Sequence, residues 1–284
     1  MSAAARLRSV PEDFDRRCLA GVDARLAEIV RTEEVAIGLA IESGSRAWGF
    51  PSPDSDYDCR FLFVRPSRDY LSPWPKRDVI ETPLEDDIDL NGWELGKALK
   101  LLLKGNAVVI EWLMSPVVYD GDARFREELT HFAHRWSSRT GVMRHYLHLG
   151  ERQRRTYFAD GKDVQIKKLF YALRPAAALR WLRLHDGEAV APMHFMTLME
   201  QSNPPPEVLA TARDLVRLKA RTRELGGGPL PPEIEAFVDG EFAAARAVLP
   251  ERVSRPSPEA KAAAEALFRG TVARLGASLA CRRR

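Results

Sequence analysis

Gly44-Ser-Arg-Ala-Trp-Gly-Phe-Pro-Ser-Pro-Asp-Ser-Asp-Tyr-Asp58 is the stretch on which the fold turns. Before it, Val35-Ala-Ile-Gly-Leu-Ala-Ile-Glu-Ser43 is a mostly apolar run of strand length. After it, Tyr57-Asp-Cys-Arg-Phe-Leu-Phe-Val64 is rich in aromatic and branched residues and reads as a second strand. A Gly-Ser turn and a loop punctuated by Pro51 and Pro53 join the two. Asp56 and Asp58 stand at the head of the second strand. The strand period of two puts both carboxylates on one face, with Cα atoms roughly 7 Å apart. That spacing suits one shared divalent ion, or two ions about 4 Å apart.

Working outward, a third run alternates in the same way. In Glu85-Asp-Asp-Ile-Asp-Leu-Asn-Gly-Trp93, Ile88 and Leu90 alternate with Asp87 and Asp89. A strand here brings another carboxylate beside the first pair. Asp89, flanked on both sides by core-type residues, is the preferred third acid, with Asp87 as the fallback. Three carboxylates beside a Gly-Ser turn have a chemical purpose. Hard oxygen ligands hold Mg²⁺ and leave its other positions to substrate phosphates. The backbone N–H groups and hydroxyl of a Gly44-Ser45 turn can cradle those phosphates, and Arg46 can add charge to them.

The sequence here resembles the DNA polymerase beta-like nucleotidyltransferases. The likeness lies in Gly44-Ser45, ten intervening residues, and Asp56-Tyr57-Asp58. More narrowly, three segments are similar to nucleotidyltransferases associated with RNA ligase and RNA repair. They are Gly44-Ser-Arg-Ala-Trp-Gly-Phe50, the run from Asp89-Leu-Asn-Gly-Trp93 through Glu111-Trp-Leu-Met-Ser-Pro116, and Lys167-Lys-Leu-Phe-Tyr-Ala-Leu-Arg-Pro175. Glu94 departs from the pattern, standing where an Asp is expected after the Trp. The resemblance implies a mixed sheet flanked by helices, and transfer of a nucleoside monophosphate from an NTP, ATP favoured, to a hydroxyl. It implies Asp56, Asp58 and Asp89 as ligands of Mg²⁺, two ions expected, and Gly44 and Ser45 as nucleotide-binding. An RNA acceptor and an RNA ligase partner follow from the same likeness.

Around this centre the chain reads as α+β, then all-helical. An amphipathic helix over 11–31 precedes the first strand, with Phe14, Cys18, Val22, Leu26 and Ile29 on one stripe. Residues 65–76, with three prolines, read as a loop. Helices follow over 93–104 and 107–113, and a short strand at 117–119. From about residue 122 the spacing supports helices only, over 123–136, 138–158, 164–185, 193–201, 207–224, 232–248 and 258–280. A catalytic domain over 1–120 and a basic helical domain over 121–284 are therefore expected.

Charge separates along the same division. Residues 40–94 carry 12 acidic against 6 basic side chains, whereas 139–183 carry 11 basic against 3 acidic. An acidic patch facing a basic one suits a metal-dependent enzyme with a polyanionic substrate and disfavours a cationic one. In the helix over 164–185, Lys167, Tyr171 and Arg174 recur along one face, and Lys167, Lys168 and Arg174 are candidate nucleotide contacts. The same face could grip RNA, with Tyr171 stacking on a base. Pro175 inside the pattern is expected to kink or divide the helix.

Three scattered cysteines and the lack of a signal-type N-terminal stretch lead to the expectation of a reduced, cytoplasmic protein with no membrane segment. Two other functions fit part of the same signal. One is a protein-adenylylating enzyme with the same chemistry and a different acceptor. The other is a non-catalytic nucleotide-sensing module, which would tolerate loss of a metal ligand.

Overall fold

A computed structural model describes residues 6–158, 164–221, 227–252 and 254–281. Its first half alternates strand and helix: α1 (Arg16–Thr32), β1 (Ala36–Glu42), α2 (Ser45–Trp48), β2 (Tyr57–Val64), α3 (Ser67–Tyr70), β3 (Val79–Glu81), β4 (Ile88–Glu94), α4 (Leu95–Leu103), α5 (Ala107–Met114) and β5 (Val118–Gly121). Then come α6 (Ala123–Trp136), α7 (Arg139–Phe158), β6 (Val164–Gln165), α8 (Ile166–Leu184), α9 (Phe195–Ser202), α10 (Pro206–Arg221), β7 (Gly227–Gly228), α11 (Pro232–Val248) and α12 (Pro258–Cys281). The fold is α+β, as expected. Two small differences are the one-turn α3 within the proline-rich loop and the short β6–β7 pairing within the helical half.

The main sheet has the order β3-β4-β2-β1-β5. Its β2 and β4 run parallel, and every other neighbouring pair is antiparallel. Parallel pairing needs a crossover, and the segment from α3 through β3 supplies it. In that register Asp58 lies opposite Asp89.

Period-two alternation divides the sheet's side chains between two cores. Ala40, Phe61, Phe63 and Leu90 pack under Val22, Leu26 and Ile29 of α1. Leu39, Ile41, Leu62 and Val64 join the opposite core, which continues through α4–α6 into α7–α11. α12 returns to pack on the sheet and α4. The sheet and the helical half thus share one apolar interior.

Local chemistry explains the element ends. The Asp15 carboxylate caps α1 by accepting from the backbone N–H groups of Arg17 and Cys18. Asn106 caps α5 in the same way. Glu94 caps α4, accepting from Gly96 and Lys97 and from the Tyr70 hydroxyl at 2.7 Å. α8 runs on through Pro175 as one helix. Pro175 cannot donate to the carbonyl of Tyr171, and its ring needs space. Gly150 of α7 provides that space: a Cβ there would press on Pro175 and Phe242.

Candidate active site

A cleft of about 360 Å³ opens where the ends of β1 and β2 meet the helical half. Its sheet wall is Ser43, Gly44, Ser45, Asp56, Asp58 and Arg60, and its helical wall includes Tyr171 and Lys219. A larger groove of about 590 Å³ between α4 and α12 is mainly apolar and gathers no comparable set of carboxylates.

The turn and the strand are bound together by a buried acid. Glu42, the last residue of β1, is fully buried. Its Oε1 accepts from the backbone N–H of Gly44 at 3.0 Å and of Asp58 at 3.1 Å. Its Oε2 accepts from the Tyr119 hydroxyl. The Ser115 hydroxyl donates to the Glu42 carbonyl at 2.7 Å. Burial is the main cause that pushes the Glu42 carboxyl up to about 7, against the Tyr119 bond that favours its charged form.

Gly44 begins the four-residue helix α2. Its backbone runs so close to β2 that any Cβ would collide with the Asp58 carboxylate. Ser45 Oγ meets Ser55 Oγ at 2.9 Å, and Ser52 donates its N–H to the same Ser55 oxygen at 2.9 Å. Arg46 bends back over the loop. Its guanidinium donates to the carbonyls of Ser55 at 2.7 Å and Asp56 at 3.3 Å and lies 4.0 Å from the Tyr57 ring. It clamps the loop that carries Asp56 instead of facing the cleft.

Asp58 and Asp89 sit side by side across the parallel pair. Arg60 bridges them, with one guanidinium nitrogen 2.6 Å from Asp89 and 3.4 Å from Asp58. Asn91 Nδ2 donates to the other Asp89 oxygen at 2.7 Å. Burial raises the Asp58 carboxyl above its ordinary range. Arg60 opposes that rise, while Asp89 and Asp56 add to it by repulsion. Asp56 is exposed at the cleft mouth. Asp87 lies instead in the tight turn before β4, with a positive φ of 60°.

These carboxylates offer the donors a hard divalent ion takes, and their mutual repulsion is the condition such an ion relieves. The guanidinium of Arg60 holds the corresponding positive charge. Among the described residues no three acidic, His or Cys side chains are already gathered as a metal cluster.

The structure brings Gly44, Ser45, Asp56, Asp58 and Asp89 to one end of the sheet. It does not bring the other expected cations there. The Lys168 ammonium lies over Tyr157 and Tyr171, outside the cleft lining. Arg174, the other expected nucleotide contact, is buried, ion-paired with Glu111, and 4.1 Å from the Trp48 ring. Glu111 also accepts from the Tyr146 hydroxyl at 2.9 Å. The Lys167 side chain lies outside the described residues. A different lysine, Lys219, lines the cleft. It is 2% exposed and has its ammonium 4.4 Å from the Phe50 ring.

Three of these residues carry a sequence signal of their own. Arg60 follows Asp56 and Asp58 at period two. Glu42 is a lone acid ending an apolar strand. Lys219 falls on the stripe of Val208, Ala212 and Leu215, where an apolar residue is expected.

A mixed sheet that sets Asp58 and Asp89 on neighbouring strands beside a Gly-Ser turn defines the DNA polymerase beta-like nucleotidyltransferase class. Within it, the chain belongs to the RNA repair pathway DNA polymerase beta family, whose model matches residues 20–269. It is also similar to the uncharacterized protein YcgL of Bacillus subtilis (strain 168), with 38% identity over 237 residues, covering 84% of this chain and 87% of that protein. The ion pair of Glu111 with Arg174, and Arg174 under Trp48, tie together the three family-like segments. No helix among the described residues is long and apolar enough to cross a membrane.

Proposed function

We propose that this protein is a Mg²⁺-dependent nucleotidyltransferase that moves a nucleoside monophosphate from an NTP, ATP favoured, to a hydroxyl at an RNA end and releases pyrophosphate. The observation that carries the reading is the pairing of Asp58 with Asp89 beside a cleft that also holds Gly44, Ser45 and Lys219. Asp56 and Asp58 would hold the metal, with Asp89 as the third acid. Bound there, the ion supplies charge stabilisation for the attacking hydroxyl and the leaving pyrophosphate.

The chain's own groups do the rest. The Gly44-Ser45 turn and the Ser45 hydroxyl receive phosphate oxygens. Lys219 and Arg60 are the cleft-lining cations among the described residues, and Arg60 is engaged with the carboxylates. Lys219 lines the same cleft as the Gly44-Ser45 turn, where its ammonium would offset charge on the triphosphate. Glu42 holds the turn against β2, so that phosphate site and metal site keep a fixed separation. Trp48 offers a ring to the nucleoside. An RNA ligase that seals the prepared end is the expected partner. The free thiols of Cys18 and Cys59 fit a cytoplasmic setting.

The test is pyrophosphate release from each NTP with Mg²⁺ and RNA, wild type against Asp58→Asn. Release by the wild type and its loss in the variant are expected. Equal release by both overturns the assignment.

A further inference from the structure

We infer that Tyr157 and Tyr171, with Lys168 over them, form the subsite for the acceptor strand, a stacking platform that leads single-stranded RNA into the cleft. The inference rests on the nucleotidyltransferase reading and adds where its acceptor lies.

Tyr171 belongs to both places. It lines the cleft, and its ring centroid is 6.4 Å from that of Tyr157, at the C-terminal end of α7. The Lys168 ammonium lies 4.8 Å from the Tyr157 centroid and 5.3 Å from the Tyr171 centroid. Neither tyrosine is sealed in the core. Both are half-buried, while Phe170, beside Tyr171 on the same helix, is completely buried. Arg155, two residues before Tyr157, is exposed.

Aromatic faces that accept any base, beside cations that follow the backbone, are the combination single-strand-binding grooves use. The division of charge adds direction. Carboxylates line the sheet wall of the cleft, and the Lys168 cation lies outside its lining. A strand can hold its phosphates near Lys168 while only its terminal hydroxyl passes Tyr171 toward Asp58. An acidic peptide would use the lysine and leave the two rings without a role.

The test is the affinity of a fluorescently labelled single-stranded RNA for wild type, Tyr157→Leu, Tyr157→Trp and Lys168→Gln. It is paired with the shift in melting temperature caused by Mg²⁺ and ATP. Losing one stacked base should weaken Tyr157→Leu by about 10-fold, while Tyr157→Trp stays within about 2-fold of wild type. Lys168→Gln should bind more weakly and lower the salt dependence by about one phosphate contact. The Mg²⁺-ATP shift should be unchanged in all three. Wild-type affinity in both Tyr157→Leu and Lys168→Gln overturns the platform, and so does duplex RNA binding as tightly as single-stranded RNA. RNA that fails to bind wild type while Mg²⁺-ATP still stabilises it overturns the platform and leaves transfer to another acceptor, such as a protein. Loss of both signals in the wild type overturns the underlying reading.

Discussion

Gly44 lies so close to Asp58 that a Cβ at position 44 would overlap the Asp58 carboxylate. The Gly44-Ser45 turn and β2 are in close contact, and only glycine permits it. Gly44→Ala should therefore cost about 1–3 kcal/mol of stability through overpacking and lower transfer by about 100-fold by displacing Asp58. Gly240 is the control, since it is exposed in α11 and a Cβ there meets nothing within 4 Å. Gly240→Ala should raise stability by about 0.5–1 kcal/mol and leave transfer unchanged. Thermal melting and initial rates check both. An active Gly44→Ala enzyme would show that the close approach is not needed.

Glu42 makes stability depend on pH. Its carboxyl rises from an ordinary 4.5 to about 7 in the fold. Between those values the folded state binds more protons than the unfolded chain, so stability falls as pH rises. The contribution is full below about pH 4.5 and lost through about pH 7, and amounts to at most about 3 kcal/mol. Glu42→Gln keeps an acceptor for Gly44 and Asp58 and cannot ionise. The variant should melt within about 2 °C of wild type at pH 5 and several degrees above it at pH 8. A wild type that does not lose ground between the two would show that Glu42 is charged throughout.

Arg60 serves as the resident counter-charge. Its side chain is 18% exposed and spans Asp58 and Asp89. Arg60→Gln leaves the two carboxylates to repel each other and should cost about 1–3 kcal/mol in chelator. Added Mg²⁺ should restore more of the melting temperature in Arg60→Gln than it adds to the wild type. Equal Mg²⁺ shifts would mean that Arg60 and the ion do not compete for one place.

Arg174 is held by Glu111, with both side chains less than a tenth exposed. Arg174→Ala strands a buried carboxylate and should cost about 3–5 kcal/mol, with loss of transfer following the loss of fold. The double variant Arg174→Met, Glu111→Leu removes both charges and should recover most of the stability. If Arg174 bound nucleotide directly, the double variant would stay as inactive as Arg174→Ala despite its recovered fold.

The strands and their carboxylates were legible because period two is a local property. Asp58 lies on β2 as the alternation suggested, whereas Asp56 ends the loop just before the strand, and the apolar neighbours of Asp89 marked its strand. The preference for Asp89 over Asp87 rested on its apolar neighbours, while the parallel register that sets Asp89 opposite Asp58 appears only in the fold. The partners of the cations were not legible. Lys168, Arg46 and Arg174 look alike as charges along a helix or loop, and only packing shows that Arg46 turns to loop carbonyls and Arg174 to Glu111. Lys219 reaches the cleft by packing against Phe50 and Phe170, both far away in sequence. Pro175 misled for a related reason, since Gly150 on another helix makes room for it.

The most direct measurement is transfer of label from α-phosphate-labelled ATP and the other NTPs onto a single-stranded RNA with a free terminal hydroxyl, in Mg²⁺, with Asp56→Ala/Asp58→Ala in parallel. The account expects label on the RNA in the wild type, none in the variant, and one pyrophosphate released for each nucleotide added. Label on the protein in place of the RNA, or equal labelling by the variant, would contradict it.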